Sequence, residues 1–224
     1  DRPGARVLFI GDGMNRNPGA DGAGFYQLVS RWYRQALRYN LGRAEKDKMS
    51  VRVLLGKHEL EFLQREPNSV FDAEVRSRLL NMIKDGIVTL ADYTGENGQE
   101  DGIQYYHAGL FPSVKQKLLD EMRTKYGEGH AAYPLNTWGV VQYLNLLLWE
   151  AVEKNDFSHY VFAQSSRRNR DGKGAEQSGP VQADFGRWVS NDLFHELIAL
   201  GIIHPRFAAM DPKVLSGKKF KDVR

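Results

Sequence analysis

No cysteine occurs among the 224 residues, which excludes thiol catalysis, iron–sulfur clusters, cysteine-type zinc sites and disulfide staples. It leaves the redox compartment open, because a chain without thiols tolerates reducing and oxidising surroundings alike. Long apolar runs are missing as well. No window approaches the roughly 18 apolar residues that a membrane-spanning helix needs, and no secretory signal pattern is visible. A strong excess of one charge is also lacking: 31 Lys and Arg against 28 Asp and Glu leave a net charge of only +3. With acidic residues interspersed throughout, that balance argues against a nucleic-acid partner. No repeat recurs at a fixed period. The expectation is a soluble protein, cytoplasmic or secreted. The chain opens on Asp1 just ahead of an apolar run, as expected of a trimmed chain or one with a leader upstream.

What is present suits a single globular domain over residues 1–224: 42% hydrophobic and 26% charged residues are ordinary for one. The stretch that organises the rest is RVLFIGDGMNRNP, residues 6–18. Its apolar run, Val7 to Ile10, predicts a buried, parallel strand. That strand stops at Gly11-Asp12, with Asn15 and Arg16 just beyond. In open α/β sheets ligands bind at the carboxyl ends of strands, so these polar residues stand where chemistry is usually placed. A second copy of the arrangement follows in VRVLLGKHE, residues 51–59, a strand ending in Gly56, Lys57, His58 and Glu59.

Between them, residues 13–24 form a Gly-, Asn- and Pro-rich loop. A helix is expected over 24–40, with Phe25, Leu28, Val29, Trp32, Ala36 and Leu37 as its apolar stripe. Arg31, Arg34 and Arg38 share the other face and read as solvated. Pro67-Asn68-Ser69 caps a helix in which Val70, Val75, Leu79, Leu80 and Ile83 point inward. Residues 87–91 read as a strand, and 103–109 as another that ends in His107-Ala108-Gly109-Leu110. Residues 113–126 form an amphipathic helix. Residues 135–152 form one with so little polar surface that it is buried on most sides or faces a partner. Residues 160–163 read as a further strand, 164–180 as a long basic loop and 183–201 as a helix. The basic tail, 216–224, is expected to fray. His130, His159 and His195 lack partner spacing and read as structural or surface residues. Arg167, Arg168 and Arg170 read as part of a solvated loop.

Three strand ends thus carry Asp12 with Arg16, then His58-Glu59, then His107, in order. In this respect the chain resembles the calcineurin-like metallophosphoesterases, and among them the phosphoprotein-phosphatase branch. Gly11-Asp12-Gly13-Met14-Asn15-Arg16 is similar to that family's Gly-Asp-x-x-Asp-Arg element. Gly56-Lys57-His58-Glu59 is similar to its Gly-Asn-His-Glu, and His107-Ala108-Gly109-Leu110 to its His-Gly/Ala-Gly-Leu. Residues 178–184 resemble a weaker segment near the active site of bacterial members. The resemblance implies an α/β fold, a central mixed or parallel, sandwich-like sheet flanked by helices. The motif-bearing core would span 5–112, and a helical and loop elaboration 113–224. The strands at 7–10 and 51–55 would be adjacent and central, and the loops after Ile10, Leu55 and Tyr106 would converge on one edge.

By the same resemblance Asp12, His107 and, more weakly, His204 would be metal ligands of a dinuclear Mn, Zn or Fe site. Such a pair of ions clamps a phosphate and activates a water for in-line attack. Arg16 would hold the substrate phosphate, a task suited to a forked, permanently charged donor. His58 would be the general acid, oriented by an acidic neighbour.

The departures are specific. The family's first Asp- and His-bearing element is absent, and so is its C-terminal Gly-His. Lys57 replaces the metal-binding amide, and Asn15 replaces the acidic residue that would orient His58. Arg16 and Lys57 keep positive charge where a phosphate would sit. The expectation is a pseudophosphatase with weak or absent metal binding that binds phosphate, a phosphorylated ligand or a partner protein. The alternative is an active metal-dependent phosphomonoesterase whose missing ligands lie upstream of Asp1, acting on a phosphoprotein or small phosphoester. Either chemistry is compatible with a bacterial effector.

Overall fold

A computed structural model describes residues 5–13, 20–95, 102–163 and 179–180. In chain order these form β1 (Arg6–Phe9), α1 (Ala20–Asn40), β2 (Ser50–Leu54), α2 (Lys57–Leu63) and α3 (Val70–Lys84). Then follow β3 (Val88–Thr89), β4 (Ala91–Thr94), β5 (Ile103–Tyr106), α4 (Pro112–Tyr126) and α5 (Thr137–Lys154). The fold is mixed α/β. One sheet is parallel in the order β1-β2-β3, and β4-β5 make a separate antiparallel pair.

The first two apolar runs pair as expected, with Val7 opposite Val51 and Phe9 opposite Val53. Among the described strands β2 is central as expected, but β1, expected to be central and buried, lies at the edge, with Val7, Leu8 and Phe9 half-buried and Ile10 exposed. Val51, Val53, Leu54 and Leu55 are fully or nearly fully buried, while Ser50 and Arg52 are only half-buried, so the strand alternates over its first four residues and becomes continuously apolar only at Leu54-Leu55.

Four further readings are corrected. The strand at 87–91 breaks at Leu90: Val88 and Thr89 join the parallel sheet, while Ala91 starts the antiparallel pair. Asn145 of α5 makes the break tolerable. Its Oδ1 accepts from the N–H groups of Leu90 and Ala91 at 2.9 and 3.1 Å, and its Nδ2 donates to the Ala91 carbonyl at 3.0 Å. An unpaired buried backbone group is costly, so one amide side chain stands in for a missing strand partner. Second, residues 160–162 are a 3-10 turn rather than a strand, with His159 Nδ1 accepting from the Val161 N–H.

Third, α1 turns a different line inward. Tyr26, Val29 and Ala36 are buried, whereas Leu28, Trp32 and Leu37 are exposed. The helix is rotated towards Tyr26 because that phenol has a buried carboxylate to meet, described below. Fourth, Val70 is exposed at the start of α3, whose inward face is Val75, Leu79, Met82 and Ile83. Ser69 does cap that helix, its hydroxyl accepting from the Asp72 N–H at 3.0 Å.

The strand ending in His107 pairs with β4 and stops at Tyr106. The apolar helix is α5, with Val140, Val141, Leu144 and Leu148 at or near zero exposure. Helix α4 docks beside it through a polar cluster centred on Glu121. That carboxylate accepts from the Tyr143 hydroxyl at 2.6 Å, His159 Nε2 at 3.1 Å and the Tyr160 hydroxyl at 3.1 Å.

Burial alone would push the Glu121 carboxyl up. The hydrogen bonds from Tyr143 and His159, the His159 charge and the Tyr160 hydroxyl outweigh burial and hold it below the ordinary carboxylate range. A carboxyl depressed on folding contributes stability that is present above its unfolded value and is lost as pH falls through the folded one. Stability is therefore expected to decline in the acid range more steeply in the native chain than in Glu121→Gln. Urea midpoints measured across that range check this, and parallel curves would contradict it. Residues 183–201, expected as a helix, lie outside the described residues, as does all but the end of the loop at 164–180.

Candidate functional site at the strand ends

Asp12 follows β1 in a left-handed conformation, φ +52°, one that a non-glycine residue adopts only when its surroundings hold it. Glu59 does the holding. Its side chain is completely buried. Oε2 accepts from the Asp12 backbone N–H at 3.1 Å and Oε1 accepts from the Tyr26 hydroxyl, also at 3.1 Å. The Tyr26 hydroxyl is pushed well above the ordinary tyrosine value by burial, then by the charge and hydrogen bond of Glu59 and the charge of Asp12. It therefore stays a donor. Neither Tyr26 nor Glu59 was assigned a role from sequence. The available signal was a carboxylate directly before Leu60 and four positions before Leu63, at the spacing of the helix's apolar side.

The Asp12 carboxylate then sits between two imidazoles. Oδ1 lies 3.7 Å from His58 Nδ1 and accepts from the His58 backbone N–H at 3.0 Å. Oδ2 lies 3.4 Å from His107 Nε2. α2 begins at Gly56, which has no side chain to cap it, so Asp12 satisfies one of its orphan N–H groups from another strand end.

Two glycines make the approach possible. A Cβ on Gly56 would lie 2.1 Å from the Asp12 nitrogen and 2.6 Å from its Oδ1. Gly11, at φ +65°, would place one 2.6 Å from His107 Nδ1. His107 is oriented by the Ile10 carbonyl, 2.8 Å from Nδ1. A carbonyl can only accept, so Nδ1 carries a proton and Nε2 is the nitrogen turned to Asp12.

Of the sequence-derived site residues, the structure brings together Asp12, His58 and His107. Lys57 opens α2 beside them, its Nζ 4.0 Å from Glu61 Oε1. Asn15, Arg16 and His204 lie outside the described residues. The segment likened to an active-site neighbour does reach this region: the Ala108 N–H, next to His107, donates to the Pro180 carbonyl at 3.0 Å. The acidic neighbour of His58 is Asp12 itself, so a neutral Asn15 does not leave that imidazole without a carboxylate beside it.

Among the described residues no group of three metal-ligating His, Asp or Glu side chains is assembled. Asp12 Oδ2 and His107 Nε2 face one another as two donors, fewer than the three or four protein ligands of a zinc-type site. The described residues alone do not make a dinuclear centre. What they do make is a polarised strand-end cluster of one carboxylate and two imidazoles, next to a lysine and above a buried carboxylate. Among the described residues no helix is long and apolar enough to cross a membrane. No protein-family model matches the chain, and neither does any curated protein or solved structure.

Proposed function

We propose that the chain is a metallophosphoesterase-like domain whose strand-end site binds a phosphate or phosphorylated ligand without a tightly held dinuclear centre, a pseudophosphatase. The observation that carries this reading is the convergence of Asp12, His58 and His107, drawn from three separate strand ends to within 3.7 Å of one carboxylate. Residues that serve only to cap or pack have no need to gather at the carboxyl ends of strands. Lys57 supports the anionic ligand: its partner Glu61 is at the limit of an ion pair and both are about one-third exposed, so its charge remains available. Arg16 supplies the forked donor.

Calorimetric titration of orthophosphate tests the reading. Wild type should bind with salt-dependent affinity, and Arg16→Ala should lose about 1–3 kcal/mol of it, the size of a hydrogen bond to a charged group. Equal affinities, or no heat in either protein, would sink it.

One observation favours a second reading, an active metal-dependent phosphomonoesterase. His107 Nε2 directed at Asp12 Oδ2 is an arrangement that a cation between the two would satisfy, given further ligands from outside the described residues. Two metal equivalents per chain, in protein purified without chelator, would decide for it.

A further inference from the structure

A concavity lies away from the strand ends, between α1 and α3, with a volume of about 700 Å³. Two helical stripes face each other across it. α1 presents Gln27, Arg31 and Arg34, and α3 presents Arg78 and Asn81, with Asp85 at its C-cap. Each stripe spans two turns at spacings of three and four residues, so each belongs to one helix face. Ser30 and Met82 close the floor, the hydroxyl donating to the thioether at 3.8 Å. Buried Ile87 and the ring of Tyr33 add apolar wall.

Charge is the unusual feature. Arginines taken separately along an exposed helix face are ordinary, but here those of two helices are turned into one cleft. Among the described residues neither Arg31 nor Arg34 meets a carboxylate within ion-pair distance; Arg34 Nε donates only to the Ser30 carbonyl. Arg78 has a loose pair with Glu74 at 3.3 Å, whose carboxylate is largely solvated, an interaction of little strength. Asp85 is the single acidic residue of the lining. Three guanidiniums against one carboxylate repel one another unless an anion joins them, and a concave wall concentrates their field.

We propose that this cleft binds a phosphorylated small molecule of nucleotide size. The volume lies within the range of small-molecule sites. Guanidinium forks match phosphate oxygens in pairs, and the charge excess calls for a ligand with at least two negative charges. Gln27 and Asn81 offer amide donors and acceptors to a base edge, and Tyr33 offers a ring face. This site is separate from the strand-end cluster and does not depend on the reading given for it.

The test is calorimetric titration of ADP, with adenosine as the uncharged probe, against wild type, the double variant Arg31→Gln/Arg34→Gln, Arg78→Gln and Arg16→Ala. ADP should bind wild type and adenosine should not. Each arginine variant of the cleft should weaken ADP by about tenfold or more, the cost of losing a hydrogen bond to a charged group. Arg16→Ala should retain the ADP-binding event that the cleft variants weaken, and lose only what ADP binding the strand ends contribute. Arg31 and Arg34 are exposed, so the double variant should melt with wild type, and Arg78→Gln gives the same readout from the other helix. Three results would overturn the proposal: no ADP binding to wild type, ADP binding unaltered in both cleft variants, or ADP binding lost in Arg16→Ala, which would place it at the strand ends.

Discussion

Asp92→Ala is expected to destabilise the chain by about 3 kcal/mol or more, the cost of breaking a buried ion pair by removing one partner. The Asp92 side chain is 1% exposed and takes both Arg6 of β1 and Arg52 of β2, the latter at 3.0 Å. It also accepts from the Tyr93 backbone N–H at 3.0 Å. Three strands from two sheets therefore meet at one carboxylate: β1 and β2 of the parallel sheet and β4 of the antiparallel pair. Without it, two guanidiniums would face each other over a void. Because Arg6 and Arg52 keep some contact with water, at 28% and 40% side-chain exposure, the loss belongs at the lower end of the range for buried pairs. Asp92→Asn keeps the volume and the acceptor for Tyr93, and should cost less than Asp92→Ala. Urea unfolding of both variants measures this. A loss below about 1 kcal/mol, the worth of an exposed pair, would show that the arginines do not need Asp92.

The second large effect is expected at Glu59. Glu59→Ala removes the acceptor of both the Tyr26 hydroxyl and the Asp12 N–H and opens a cavity where nothing reaches water. Leaving a buried donor unsatisfied costs about 1–3 kcal/mol, and lost packing adds to it. The expected stability loss is about 3 kcal/mol. Function should suffer further. Once the left-handed turn at Asp12 is released, its carboxylate no longer stands between His58 and His107, and phosphate affinity should fall with it. Tyr26→Phe separates the two roles. It removes one hydrogen bond to Glu59 but leaves Oε2 on the Asp12 N–H, so stability should drop while phosphate affinity stays near wild type. If Glu59→Ala bound phosphate as well as wild type does, Glu59 would be a packing residue only.

These two carboxylates mark where sequence reading succeeds and stops. The runs Val7–Phe9 and Val51–Leu54 were legible because clustered β-branched, leucine and phenylalanine residues that stop at a glycine favour strands, but that β1 would be half-buried at an edge was not. The gathering of Asp12, His58 and His107 was legible because each follows such a run or a turn signal. Tyr26 and Glu59 were not, since a tyrosine within an apolar helical stripe and a glutamate at a helix start both have ordinary local explanations. Their pairing spans 33 residues, and nothing local specifies it. The break at Leu90 was hidden for the same reason, because the amide that permits it sits on another helix. Residues 160–162 failed differently: Tyr, Val and Phe are good strand formers, but His159 closes a turn on Val161 before any ladder can form.

Asn145 also sets an order of events. Its bonds to Leu90 and Ala91 cross 55 and 54 positions of sequence. A nascent chain that has emerged from the ribosome only as far as β4 has its first parallel strands available, but not the acceptor for two N–H groups at the crossing between sheets. The switch from one sheet to the other can be completed only after the first half of α5 has been synthesised. Contacts of such long range slow folding, because loop closure must come before the bond that rewards it. Until then the β3–β4 segment has open backbone groups, and this is the stretch of the newborn chain most open to wrong strand pairing.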